Sequence, residues 1–395
     1  MQNEIVFIVD YPFTQRDYDR FGIHILQQHG FSVQIWDLGP IIKKGKYHSF
    51  SEKPCNTVPI KYPINKRHAV KWIRLLYSTT WVFFSFSYTL PVHWVYRGIS
   101  VAGCKTMVLT CNVLPESSFG KEKRLMYSRL KSITPQKLVR YFINKLNLCG
   151  LYLMLLMQPV APITVAFGGG LYSMNSYLRS YPITRKTKRV YIHQLDYDIY
   201  LSQRDISISE NNTAVFLDSY EPFHPDYTYL GLSNPLKPDE YYQILKQFFS
   251  FIELTYNLNV VIAAHPRSQY ENGPDYFNGR RCVRGDTLNL IKRSKFVLLH
   301  SSTAINFAVL HYKPCVFLVT PKMSNGLRRS VYTFAKQLDK VPVELSKGAK
   351  KSYDIDLSIN LSKYYQYKDN YIKHPDSKDE LFWKQVGQAL GKMYE

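Results

Sequence analysis

The chain has 395 residues, 45% of them hydrophobic and 15% aromatic, which is more than one compact core of ordinary size needs and enough apolar material for two. Lysine and arginine number 51 against 30 aspartates and glutamates, a formal net charge of +21, which favours an anionic partner such as phosphates, acidic sugars or anionic lipid. Nucleic acid is set aside, because the basic clusters Lys43–Lys46, Lys121–Arg124 and Arg185–Arg189 come with no zinc-finger spacing, basic zipper or aromatic RNA-binding signature.

The chain enters a strand directly at Ile5–Val9, with no charged leader and apolar signal core before it, so a cytoplasmic location is expected. A helix over Arg16–His29 follows, stopped at Gly30, and then a strand over Ser32–Trp36 that ends at Asp37. This β-α-β opening is Rossmann-like but lacks GxGxxG, which speaks against a dinucleotide. Further strands are predicted at Trp81–Phe84, Thr106–Leu109, Ile163–Phe167 and Val190–His193, with helices between them, including Pro135–Leu148. The most apolar stretch, Leu146–Gly170, is divided by Pro159 and Pro162 and therefore reads as a buried helix, Leu146–Met157, and a buried strand rather than a membrane span. Gly168-Gly169-Gly170 then offers either a loop for close approach to a ligand or a flexible turn. Asp196-Tyr197-Asp198 has the letters of a metal-binding DxD, but it opens a helix, where carboxylates favour the dipole, and structural use is expected.

Polar residues Asp205–Thr213 read as a connector, after which a second α/β pattern starts. Strands are predicted at Ala214–Leu217, Asn259–Ala264, Phe296–Leu299 and Cys315–Val319. Helices are predicted at Asp239–Thr255, Asp286–Ser294, Ala304–His311, Leu357–Tyr371 and Lys378–Tyr394. The alternation predicts an α/β fold with two Rossmann-like domains, each a doubly wound parallel sheet, facing a central cleft. Two of the strands end abruptly in polar residues, one in His265-Pro266-Arg267 and the other in His300-Ser301-Ser302-Thr303. Residues just past the carboxyl ends of parallel strands line the ligand crevice. The hydroxyls of Ser301, Ser302 and Thr303, at the start of a helix with unpaired N–H groups, suit a phosphate. Taken singly, the first motif is also a turn and the second an N-cap; their pairing on neighbouring strand ends favours a ligand site. The six cysteines form no CxxC pair and read as reduced, buried thiols.

This arrangement resembles the GT-B glycosyltransferases, and among them the bacterial sialyltransferases and polysialyltransferases that use CMP-activated nonulosonates. Their acidic, His-Pro and Ser-Ser/Thr motifs have counterparts, in order, in Asp218-Ser219-Tyr220-Glu221, His265-Pro266 and Ser301-Ser302-Thr303. The acidic motif departs from the family form, since its glycine is missing. The resemblance implies an N-terminal acceptor domain over 1–205, a donor domain over 206–375 and a final helix in 376–395 that packs back on the first. It implies an inverting transferase that moves a sialic-acid-like sugar onto a bacterial surface glycan. Its partners would be a nucleotide-sugar donor and a glycan or glycolipid acceptor, with an anionic inner-membrane surface as an open addition. Asp218 is the expected base, with Glu221 the alternative, and His265 would serve the departing phosphate. Pro266, Arg267, Ser301, Ser302 and Thr303 would bind the donor, with no cofactor and no obligatory metal. Competing readings are a CDP-polyol phosphate transferase, a UDP- or GDP-hexose transferase, and a non-catalytic nucleotide-sugar-binding scaffold.

Overall fold

A computed structural model describes residues 3–43, 47, 55–111, 113, 115, 146–147, 149–176, 180–206, 209–224, 227, 234–346 and 352–393. Seven strands form the first sheet: β1 (Asn3–Val9), β2 (Phe31–Asp37), β3 (Ile60–Lys61), β4 (Trp81–Phe84), β5 (Lys105–Thr110), β6 (Val165–Gly168) and β7 (Lys188–Tyr191). They lie in the order β3-β2-β1-β4-β5-β6-β7, and every pairing is parallel. Six more form the second sheet: β8 (Thr213–Leu217), β9 (Asn259–Ala264), β10 (Cys282–Arg284), β11 (Phe296–Leu299), β12 (Cys315–Val319) and β13 (Val343–Glu344). Their order, β10-β9-β8-β11-β12-β13, is again wholly parallel. Both sheets therefore reverse direction of winding beside their first strand, the place where open α/β sheets carry ligand crevices. The α/β architecture of two Rossmann-like units facing a cleft is the one the alternating pattern predicts.

Both faces of each sheet are covered, which is why the strands are apolar throughout rather than alternating. In β11 and β12 every residue is buried, and helices pack from both sides to form two separate clusters about the second sheet. The first sheet has the same two-sided arrangement. The edge strands β3, β10 and β13 have only two or three residues, too few to show a period in the sequence.

Three local departures from the predicted elements have identifiable causes. The helix expected over Arg16–His29 is two helices, Gln15–Arg20 and Ile23–Gln28. Gly22 separates them with φ +50°, and a Cβ there would lie 2.4 Å from the Trp383 ring. Trp383 belongs to the helix Phe382–Gly391, which returns to the first sheet and donates from Nε1 to Arg20 O at 2.8 Å. The segment Leu146–Met157 is helical at 146–147 and 149–157 but is not buried. The helices Lys66–Arg74 and His93–Ala102 already cover that face of the sheet, so the later helix lies outside them. Most of the helix expected at Pro135–Leu148 falls outside the described residues. Among the described residues no helix is long and apolar enough to cross a membrane.

Candidate functional site

A cavity of about 610 Å³ opens at the carboxyl ends of β8, β9 and β11, against the first residues of the N-terminal unit. From the second unit it is lined by Asp218, Ser219, Glu221, His224, His265, Pro266, Ser301, Ser302 and Thr303, among others. Arg16 and Asp196 reach it from outside the second sheet. Arg16 is set by a capping box: Thr14 Oγ1 accepts from Asp17 N at 3.3 Å and Asp17 Oδ2 accepts from Thr14 N at 3.0 Å, fixing the start of the helix that follows β1. Asp196 lies in the first turn of the helix Leu195–Gln203.

Asp218 is the organising residue of this wall. It is 4% exposed. Its Oδ1 accepts from Tyr220 N at 2.9 Å, and its Oδ2 accepts from His265 N at 3.3 Å and from Tyr270 Oη at 2.8 Å. One carboxylate thus ties the end of β8 to the loop after β9. Burial raises its pKa to about 6, against the pull of those three donors. Tyr270 donates to the carboxylate, so the 2.9 Å contact between the Tyr242 and Tyr270 hydroxyls has Tyr242 as donor. Tyr220 sits in the left-handed region at φ 53°, a conformation disfavoured for a tyrosine that turns the chain from Asp218 to buried Glu221. Asn234 Nδ2 secures that turn by donating to Glu221 O at 2.6 Å.

The His265 loop defines its own tautomer. Arg267 N donates to Nδ1 at 3.1 Å, so in the neutral ring the proton is on Nε2. Arg267 acts here through its backbone; its exposed side chain does not line the cavity. His224, from the second His-Pro of the sequence, stands with its ring centroid 5.4 Å from that of His265.

The third strand end is held from beneath by buried His300. Its Nδ1 donates to Leu318 O at 2.7 Å and its Nε2 accepts from Tyr241 Oη at 2.8 Å, while burial pushes its pKa down to about 4. Ser219 Oγ donates to Ser301 O at 3.3 Å and joins the ends of β8 and β11. The expected free helix terminus at Ser301–Thr303 is altered: Ile305 N bonds Ser302 O, Asn306 N bonds Thr303 O, and Ala304 N bonds Ser302 Oγ. The turn is tight and 3₁₀-like, so these N–H groups are already used.

The glycines Gly168, Gly169 and Gly170 are buried elsewhere and contact no open space. A Cβ on Gly170 would lie 2.4 Å from Asn370 O, and His374 N donates to Gly169 O at 2.9 Å. The close approach expected of this triplet is made by the chain's own segment 369–374, not by a ligand. In the DxD sequence the two carboxylates part company. Asp198 accepts from Phe382 N at 2.8 Å and lies 3.6 Å from His193 Nε2, a structural use. Asp196, half-buried, faces the cavity. Burial raises its pKa, while Arg20, Arg16 and a hydrogen bond with Asn306 oppose that rise. The structural use expected for both carboxylates therefore holds for Asp198 and not for Asp196, which lines the cavity; sequence reading passed over Arg16, whose signal was the Thr14-x-x-Asp17 capping pattern. Among the described residues no group of three His, Cys, Asp or Glu side chains is placed to hold a metal ion.

Comparison with protein-family models finds no match, and comparison with curated proteins finds none. Similar solved structures include the UDP-GlcNAc 2-epimerase from Methanocaldococcus jannaschii, at 10% identity and TM-score 0.39 over 100% of this chain and 99% of that chain. S. aureus MnaA in a co-structure with UDP is 12% identical, with TM-score 0.44 over 99% and 97%. The wall teichoic acid polymerase TagF is 11% identical, with TM-score 0.45 over 100% and 89%. The likeness is in overall outline, and the assignment below rests on the cavity itself.

Proposed function

We propose that the protein is an inverting glycosyltransferase whose cavity takes a nucleotide-activated sugar, with a CMP-nonulosonate as the leading donor and a surface glycan or glycolipid as acceptor. The observation that carries this reading is the convergence of three strand ends, bearing Asp218, His265 and Ser301–Thr303, on one cavity faced by Arg16 and Asp196 from outside the second sheet. In the proposed reaction the acceptor hydroxyl oxygen attacks the anomeric carbon as the bond from that carbon to the phosphate oxygen breaks, and the nucleotide leaves with the electron pair. His265 Nε2–H and the hydroxyls of Ser301 and Thr303 serve the charge that develops on the departing phosphate. These donors serve in place of a metal ion, and turnover is expected to persist in EDTA.

The acceptor proton needs a base. Asp218, the residue expected from the sequence, has both oxygens engaged by three donors, which suits a positioning residue. We assign the base to Asp196, which faces the donor motifs and whose pKa is raised by burial. Asp196→Asn is expected to lower kcat by about 100-fold or more with little change in donor affinity, whereas Asp218→Asn should weaken donor binding as the His265 loop loosens. If Asp218→Asn or Glu221→Gln instead removes kcat at unchanged donor affinity, the base is that residue. Thermal-shift titration with CMP, CDP, UDP and GDP tests the donor class, since a ligand of the folded state raises its stability; a response to none of the four would overturn the nucleotide reading.

A further inference from the structure

The helix at 149–157 has no counterpart in the catalytic reading. Leu146, Tyr152, Leu153, Leu156 and Met157 are 59–83% exposed, a contiguous apolar cluster rather than the scattered single side chains normal on a monomer. From Leu146 to Leu178 the sequence holds no charged residue. The helix is anchored on the molecule at its exit, where Arg97 Nη1 donates to Pro159 O at 2.9 Å and Ala161 N donates to Ser100 Oγ at 2.8 Å. The turns before that exit project their side chains outward.

The sequence on either side of this helix is nearly all of one charge sign. Between Lys53 and Leu195 the only acidic residues are Glu116 and Glu122, against 21 lysines and arginines. On the helix Lys66–Arg74, which packs beside His93–Ala102, Lys66, Arg67, Lys71 and Arg74 are all exposed, and Lys66 Nζ lies 5.2 Å from the centre of the Trp94 ring. At a rise of about 1.5 Å per residue, residues 149–157 extend roughly 14 Å, half the roughly 30 Å of a bilayer's hydrocarbon core. The described turns fit within one leaflet. An exposed apolar helix held on His93–Ala102, against which the basic helix Lys66–Arg74 also packs, suits an interfacial anchor on an anionic surface.

We propose that the helix at 149–157 inserts into an anionic lipid leaflet, with the exposed lysines and arginines of Lys66–Arg74 against the headgroups. The inference is independent of the donor and of the base. The test is co-sedimentation of the full chain with phosphatidylcholine vesicles and with vesicles of phosphatidylcholine and phosphatidylglycerol. Binding is expected to the mixed vesicles and to weaken as salt is raised. Leu153→Glu with Leu156→Glu should lower partitioning by about tenfold or more, and Lys71→Glu with Arg74→Glu should lower it on the anionic vesicles alone. Far-UV circular dichroism and nucleotide-induced thermal shift, unchanged in the variants, exclude misfolding as the cause. Unchanged partitioning of the folded Leu153/Leu156 variant would overturn the proposal. So would a wild-type dimer in light scattering that the same substitutions convert to a monomer without any effect on vesicles, since the helix would then be covered by a second copy.

Discussion

Two buried aspartates, one in each unit, end strands in nearly the same way. Asp37 closes β2, with Gly39 N on Oδ1 at 2.8 Å and Tyr47 Oη on Oδ2 at 2.5 Å. Asp218 closes β8, with Tyr220 N on Oδ1 at 2.9 Å and Tyr270 Oη on Oδ2 at 2.8 Å. Burial raises both pKa values to about 6. The shared device turns the chain sharply out of a parallel sheet by giving a buried carboxylate the N–H two residues on and a tyrosine hydroxyl. Only Asp218 adds a third donor, His265 N, and only there does the turned loop border the large cavity. A strand-end aspartate is therefore a fold-building element in both units, and the chemistry of the second comes from the side chains it positions.

The carboxyl edges of the two sheets differ in what fills them. Beyond β6, Gly168 packs on Ser173, Gly169 on Gln194 and Gly170 on the backbone of Asn370; beyond β8, β9 and β11 the side chains are short or polar and space remains. His265→Ala should separate the two edges most sharply, lowering turnover by about 100-fold with little change in Tm, as measured by steady-state kinetics and calorimetry. A destabilised but active variant would make His265 a packing residue.

Gly170→Ala should show the reverse. A methyl group against Asn370 O forces the backbone to shift and should destabilise by about 1–3 kcal/mol, read by denaturant unfolding, while nucleotide-induced thermal shift persists. Loss of nucleotide binding at unchanged stability would restore the glycines as a ligand loop.

The two aspartates can be compared by pH. The folded pKa of Asp218, near 6, lies above the roughly 3.9 of an exposed aspartate, so the folded state holds this proton more tightly. Its contribution is fully present below about pH 4 and is lost as pH rises through 6, by on the order of 3 kcal/mol. Asp218→Asn should remove that slope, and Asp37→Asn should remove a similar one. A wild-type-minus-variant difference in unfolding free energy that stays flat from pH 4 to 7 would show that the carboxylate is not desolvated as described.

The smallest effects are expected from Tyr47→Phe and Tyr270→Phe, each about 1–2 kcal/mol for a lost hydrogen bond to a charged group. Only Tyr270→Phe should also weaken nucleotide binding, by loosening the His265 loop. Equal nucleotide affinity in the two variants would mean that the Tyr270–Asp218 hydrogen bond has no functional consequence.

Local sequence was sufficient for the buried strands. Trp81–Phe84, Asn259–Ala264, Phe296–Leu299 and Cys315–Val319 have the predicted limits, because a strand covered on both faces is a continuous apolar run that polar residues must end. The same abrupt endings marked His265 and Ser301–Thr303, which lie on one sheet edge but on strands that flank β8 rather than on the neighbouring strands expected. Other features depend on residues distant in sequence. Whether the apolar helix at 149–157 is buried depends on which helices already cover the sheet face, and its composition alone pointed to the wrong answer. Gly170 packs on a backbone segment some two hundred residues later. Asp196 and Arg16 join the cavity only because the first unit folds against the second. Local periodicity reports which face of an element is apolar; which surface that face meets, and which carboxylate is left facing the cavity, is decided by long-range packing.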